Sequence, residues 1–227
     1  MLLAPEICIC CGAKCYGLPL CKNCSKLFVS QVFHPSVRHC SVCGRVLLSE
    51  QTICMECREK TVIENLDSCI SCHPYLMWKK QLLFQWKISG NRNYTPLISL
   101  LLHNGLQCYY PNAVIVPVPP RPGKLRKKGW DQIQDICTYL KWQYGYEICP
   151  VLKRLEKKQQ KKLSREQRIA HLGSDYCIIE KKQKLIQGKE VVLLDDIMTT
   201  GVTLENCGRL LKNTQAKSVH GLTIFSA

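Results

Sequence analysis

The sequence predicts an α/β protein: a parallel sheet flanked by helices, preceded by a small cysteine-rich module. Three observations lead there. Of 17 cysteines, twelve lie in residues 1–72. The formal net charge of +15 is skewed the other way, since residues 1–72 hold seven Lys/Arg against six Asp/Glu and leave +14 to the remainder. From residue 74 onward, short apolar runs alternate with segments of helical period. The expected division is therefore a module over 1–72 and an α/β domain over 73–227.

The chain has 227 residues, 46% hydrophobic and 22% charged, a globular balance that excludes a wholly disordered protein. No apolar run reaches the ~20 residues of a membrane span. The N-terminal MLLAPEICICC lacks the basic stretch and long apolar run of a signal peptide, so the expected location is the cytoplasm. The larger segment is long enough to bury roughly two thirds of its unfolded surface. The smaller one needs a metal or disulfides to hold a fold.

Its cysteines fall in CxxC pairs: Cys8 with Cys11, Cys21 with Cys24, Cys40 with Cys43, and Cys54 with Cys57. Four pairs supply eight thiolates, enough for two closed tetrahedral sites, and soft thiolates in that geometry suit zinc. The favoured sets are Cys8/Cys11/Cys21/Cys24 and Cys40/Cys43/Cys54/Cys57, although interleaved pairing also fits the spacing. A closed four-thiolate site leaves no open position for catalysis, so both zincs are read as structural. A disulfide framework needs an oxidising compartment. Cys69 and Cys72 form a fifth CxxC without a partner pair and, with Cys10 and Cys15, are read as incidental thiols.

In the second segment, Leu76, Leu82, Leu83 and Trp86 mark one helix. Tyr94, Leu97, Ile98, Leu101 and Leu102 mark the next. Ala113–Val118 reads as a buried strand, and Trp130, Ile133, Ile136, Cys137 and Leu140 as a helix. Tyr176–Ile179 has strand character. Val191–Leu194 is the continuous apolar strand of a sheet covered on both faces. Leu204, Cys207, Leu210 and Leu211 give a helix and Val219–Phe225 a closing strand.

The chemistry concentrates in VVLLDDIMTTGVTLENCGRLL, residues 191–211. It reads as strand, acidic pair, hydroxyl-rich loop with a glycine, then helix. Unpaired amides and the partial positive charge of a helix N-terminus bind phosphate. The amides of Thr199, Thr200, Gly201, Val202 and Thr203 are the candidates, with three threonine hydroxyls beside them. Asp195 and Asp196 lie where ligands of open α/β sheets bind. Carboxylates suit sugar hydroxyls rather than phosphate, so the pattern points to a ribose phosphate. The glycine and lysine spacing of a P-loop is missing.

VVLLDDIMTTGVT resembles the phosphoribosyl pyrophosphate signature of type I phosphoribosyltransferases. Nearly the whole chain resembles the ComF family, on the four CxxC pairs, LLFQWKISGN at 82–91, IVPVPPR at 115–121, KKGWDQ at 127–132 and QKKLSREQR at 160–168. The resemblance implies a type I phosphoribosyltransferase-like fold after a double zinc-ribbon module. It implies phosphoribosyl pyrophosphate, bound with Mg²⁺, as ligand: Asp195 and Asp196 on the ribose, and Val118, Pro119 and Arg121 on the pyrophosphate. Lys128 stands where the family commonly has arginine, losing a bidentate fork but keeping a charge. Asp131 stands where asparagine is common, as His171 does, and adds a negative charge that Mg²⁺ would offset.

Arg121, Lys124, Arg126, Lys127 and Lys128 contribute +5 with no acid between them, and residues 153–168 contribute +6. Lys153, Lys157, Lys161 and Arg165 repeat every four residues, a spacing that aligns them on one face of a helix. Such surfaces bind polyanions. Lys124, Arg126, Lys127, Lys157, Lys158, Lys161 and Lys162 are the candidate nucleic-acid contacts, with Trp130, Trp142, Tyr144 and Tyr146 as stacking platforms for unpaired bases. The family resemblance adds natural transformation as the setting, single-stranded DNA as partner, and a DNA-uptake helicase or channel protein beside it. The alternatives are an active phosphoribosyltransferase on an unknown nucleophile and a zinc-ribbon interaction protein with a vestigial transferase domain.

Overall fold

The computed structural model describes residues 5–30, 32, 36–124, 128–155 and 175–227. Strand β3 (Ser68–Pro74), β4 (Val114–Pro117), β7 (Glu190–Met198) and β8 (Ser218–Ser226) form one sheet in the order β3-β8-β7-β4, with every neighbouring pair parallel. The predicted parallel sheet is thus present. Its two central strands, β7 and β8, are the longest at nine residues each and are buried along most of their length, as cover on both faces requires.

Alternation along the strands divides the interior into two cores. Ile115, Val192, Leu194 and Leu222 face one side, where α3 (Trp78–Lys87), α4 (Thr95–Tyr109) and α5 (Gln132–Tyr144) pack. Val114, Val116, Val191, Leu193 and Val219 face the other, against α6 (Val202–Lys212). Most residues of the helix stripes read from the sequence are buried: Leu82, Leu83 and Trp86 of α3, Ile98, Leu101 and Leu102 of α4, and Leu204, Cys207, Leu210 and Leu211 of α6, whereas Leu76 lies before α3 and is exposed.

Three local features depart from the sequence reading. Cys69 and Cys72 belong to neither cysteine cluster and are buried residues of edge strand β3, whose parallel partner is β8. The CxxC spacing concealed a strand, and the expected boundary between residues 72 and 73 falls inside it. Tyr176–Ile178 is a strand, β6, but it pairs antiparallel with β5 (Leu152–Arg154) in a separate two-stranded sheet. Lys153 therefore sits in a strand and not on a helix, while Lys157, Lys161 and Arg165 lie outside the described residues.

The cysteine module is divided between the two cores. Its first part, β1 (Pro5–Ile7), β2 (Lys14–Tyr16) and α1 (Lys22–Ser30), packs onto the α3–α4 side. There the Phe28 ring stacks on His73 at 4.5 Å. His73 Nε2 lies 2.7 Å from the Phe28 carbonyl oxygen, and burial pushes this imidazole down to about 3, so it is a neutral core group. The second part, which includes α2 (Met55–Glu59), packs onto the α6 side through Cys40, Cys43, Leu47 and Ile63. Gly44 at φ +69° lies against β3, where an added Cβ would overlap the Cys69 carbonyl, and its own carbonyl oxygen accepts from Ser71 N at 2.8 Å.

Candidate functional site

The C-terminal edge of the sheet opens into a cavity of about 310 Å³, with the acidic pair on its wall. Strand β7 runs on through both carboxylates, Asp195 pairing with Thr223 of β8, before the chain turns into loop 199–201 and helix α6. Gly201 adopts φ +78°, the left-handed conformation that lets the chain turn from the loop into the helix. Thr203, in the first turn of α6, faces the cavity with Asp195 and Asp196.

Asp195 Oδ1 accepts the Asp196 backbone N–H at 2.8 Å. Burial, reinforced by the adjacent Asp196 carboxylate, raises the Asp195 carboxyl to about 7. Asp196 Oδ2 forms an ion pair with Lys87 Nζ at 2.5 Å. Lys87 is the last residue of α3, and its carbonyl oxygen accepts from Lys128 Nζ and from Gln132 Nε2, each at 2.9 Å. The predicted Lys128 is exposed and does not line the cavity; it braces the residue that grips Asp196.

The exit of β4 supplies the facing wall through Val118, Pro119 and Arg121, all three predicted. Lys124, expected on a nucleic-acid surface, lines the same cavity and pairs with Asp131 Oδ2 at 2.6 Å and with the Gln132 side-chain oxygen. Asp131 is the N-cap of α5, its Oδ1 accepting from Ile133 N at 3.0 Å and Gln134 N at 3.1 Å, an arrangement that stabilises a helix by about 1 kcal/mol. The charge that looked unfavourable for a pyrophosphate is thus neutralised by Lys124 and directed at helix amides. Lys87, Asp131, Arg154 and Tyr176 were not singled out from the sequence as ligand residues, yet all four line this cavity. Arg126, Lys127, Lys157, Lys158, Lys161, Lys162 and His171 lie outside the described residues.

Thr199, Thr200 and Gly201 line a second cavity of about 260 Å³ behind the loop, together with Cys43, Cys57, Arg45 and Lys60 of the module. Val202 opens α6 with its side chain exposed. Of the candidate aromatic platforms, Trp142 is 78% exposed and packs edge-on against Tyr139. Trp130 packs against Trp86, Tyr144 stacks on His103, and Tyr146 is buried.

The eight paired cysteines gather into two clusters, Cys8/Cys11/Cys21/Cys24 and Cys40/Cys43/Cys54/Cys57, with all Sγ atoms of a set within 4.8 Å of one another. The pairing is sequential and all 17 thiols are free. Tetrahedral zinc with Zn–S bonds of about 2.3 Å places sulfurs about 3.8 Å apart. Cys11 to Cys21 and Cys43 to Cys54 both measure 3.7 Å, so each donor set fits the ion. Burial opposes ionisation of Cys40, but the amides of Cys43, Cys54 and Val42 outweigh it and bring this thiol down to about 7. Cys8 is brought to about 6 in the same way, by amides of Cys21, Cys11 and Cys10.

Residues 152–227 match the family described as phosphoribosyl transferase domain. That match spans β7, the acidic pair, the loop and α6, so this part of the chain is similar to domains of the phosphoribosyltransferase class. Over a longer stretch, the chain is 26% identical across 193 residues to Competence protein ComFC of Bacillus subtilis (strain 168), covering 82% of this chain and 77% of the relative. It is 24% identical across 200 residues to Competence protein ComFC of Streptococcus pneumoniae (strain ATCC BAA-255 / R6), covering 88% and 84%. The ComF resemblance read from the motifs therefore extends along most of the chain.

Proposed function

We propose that this protein binds phosphoribosyl pyrophosphate with Mg²⁺ and handles single-stranded DNA during natural transformation in the cytoplasm, with two structural zincs holding its N-terminal module. One observation carries the ligand reading: the Asp195–Asp196 pair, Thr203 at the start of α6 and Arg121 on the facing loop converge on one cavity. Carboxylates accept hydrogen bonds from ribose hydroxyls, loop amides receive the 5′-phosphate, and Arg121 with Lys87 supplies cationic charge for pyrophosphate. Lys87 already holds Asp196, so sugar binding exchanges a lysine for hydroxyl donors there. Mg²⁺, a hard cation preferring oxygen donors, suits the carboxylates and the pyrophosphate oxygens.

The DNA assignment rests on the name of the two relatives and on the charge of +11 in residues 121–128 and 153–168. A DNA-uptake helicase or channel protein is the partner that fits this setting. Among the described residues, no helix is long and apolar enough to cross a membrane.

A second reading, phosphoribosyl transfer, draws on Asp195. A carboxyl near neutrality is matched to accepting a proton from an incoming nucleophile. Titration calorimetry with phosphoribosyl pyrophosphate and Mg²⁺, on the unchanged protein and on Asp195→Ala/Asp196→Ala, tests the site. Binding by the former and not by the latter is expected, and equal binding would place the site elsewhere. Pyrophosphate release with a panel of bases tests transfer. For DNA, replacing Lys157, Lys158, Lys161 and Lys162 together by Gln is expected to weaken single-strand binding and flatten its log–log salt slope, about −0.7 per phosphate contacted.

A further inference from the structure

Both flanks of the phosphate loop are tied to the segment that carries the second cysteine cluster. On the strand side, Arg45 lies two residues beyond Cys43 of the Cys40–Cys43 knuckle. Its Nη2 donates to the Ala227 carbonyl oxygen at 2.7 Å, while both terminal nitrogens grip Glu56, two residues beyond Cys54. Ala227 N donates in turn to the carbonyl oxygen of Met198, the residue before the loop. On the helix side, the chain leaving Cys57 lies along α6. A Cβ added to Gly201 would fall 2.9 Å from Ile63 Cγ1, and one added to Gly208 would collide with the Leu66 side chain. Between these glycines, Glu205 Oε2 accepts the backbone N–H of Glu64 at 2.8 Å and of Asn65 at 2.9 Å, and Oε1 accepts from the Asn65 side chain.

The first cluster has no such connection among the described residues. It docks through α1 and β2 on the opposite face of the sheet.

We propose that the second cysteine centre is a positioning element for the phosphate loop. Metal held by Cys40, Cys43, Cys54 and Cys57 and a phosphate monoester held by the 199–203 amides stabilise one another, while the first centre is indifferent to the ligand. The proposal rests on the ribose-phosphate reading of the loop. Its physical basis is that amides bind phosphate strongly only when fixed in advance. The metal fixes residues 40–57, and the Arg45 and Glu205 links pass that order to both ends of the loop. Linkage makes the effect reciprocal at equilibrium: a bound phosphate must tighten metal binding by the same free energy that the metal adds to phosphate binding, and a gain in affinity is expressed mostly as slower release.

The test uses the full zinc-loaded chain, ribose 5-phosphate as probe and a chromogenic chelator. Saturating probe is expected to slow release of one zinc about tenfold, within the usual range of coupling, and to leave the other unchanged. In Glu205→Ala the protection is expected to vanish. Glu205→Gln, whose amide oxygen still accepts from backbone N–H groups, is expected to regain part of it. If Glu205→Ala fails to fold, Asn65→Ala removes a single donor and is expected to reduce protection. Probe binding seen by calorimetry with both zincs released at unchanged rates would overturn the coupling alone, as would full protection in Glu205→Ala or, where that variant does not fold, in Asn65→Ala. No probe binding by the unchanged protein would overturn the ribose-phosphate reading and the coupling with it. A purified chain without zinc would overturn the proposal outright.

Discussion

The two cysteine clusters are alike in sequence and unlike in position. Each is built from two CxxC pairs whose sulfurs meet at 3.7 Å. The first is anchored in the core under α3 and α4, where Phe28, His73 and Phe225 pack together. The second lies under α6, with Cys43 and Cys57 on the wall of a cavity shared with Thr199, Thr200 and Gly201. The same local chemistry therefore serves packing in one place and adjoins the 199–201 loop in the other. What separates them is the face of the sheet on which each knuckle docks.

The largest effect expected from this difference concerns the ligands themselves. A structural zinc contributes about 10–16 kcal/mol of folding free energy in small domains, so losing either centre will lower thermal stability. Cys43→Ser is expected to lose one zinc and at least about tenfold in ribose-phosphate affinity. Cys21→Ser is expected to lose one zinc with affinity nearly unchanged. Elemental analysis and calorimetry on the two variants make the comparison, and equal losses of affinity would erase the distinction.

Next in size is the acidic pair. Charge-assisted hydrogen bonds are worth about 1.5–3 kcal/mol each, so removing both carboxylates is expected to weaken phosphoribosyl pyrophosphate binding at least about a hundredfold. Both zincs should be retained, because neither cluster touches these side chains. Zinc loss from this variant would blur the boundary between site and module.

A smaller effect concerns the pH dependence of Asp195. Asp195 is raised to about 7 by burial and by Asp196, so its neutral form is favoured in the fold. The stability contributed by that neutral form is present below the unfolded value of about 3.9 and is lost as pH rises through about 7. Asp195→Asn is therefore expected to gain thermal stability over the unchanged protein between about pH 5 and about pH 8. The same ionisation favours acceptance of ribose hydroxyls, so ligand affinity in the unchanged protein should rise over that range. Melting curves at several pH values check the first statement and calorimetry the second.

The smallest expected effect concerns Trp142, the exposed ring among the proposed stacking platforms. One stacked base is worth about 1–3 kcal/mol, so Trp142→Ala should weaken single-strand binding without changing its salt slope. Tyr144→Ala should act mainly through lost packing on His103, seen as a fall in melting temperature.

The sequence by itself determined what depends on near neighbours. CxxC pairs, the DDIMTTG run and the helix stripes are local patterns, because knuckles, strand-to-helix turns and amphipathic faces are each made by residues a few positions apart. Only the tertiary structure decided what depends on distant ones. Cys69 and Cys72 imitated a fifth knuckle, and their role as strand residues was fixed by pairing with β8, some 150 positions away. Lys87 reached Asp196 and Glu205 met Asn65, both through the packing of helices on the sheet. Such partners leave no periodic trace in a sequence: each side chain is placed by a fold that hundreds of other residues hold together, and the sheet face on which each cysteine centre sits was decided in the same way.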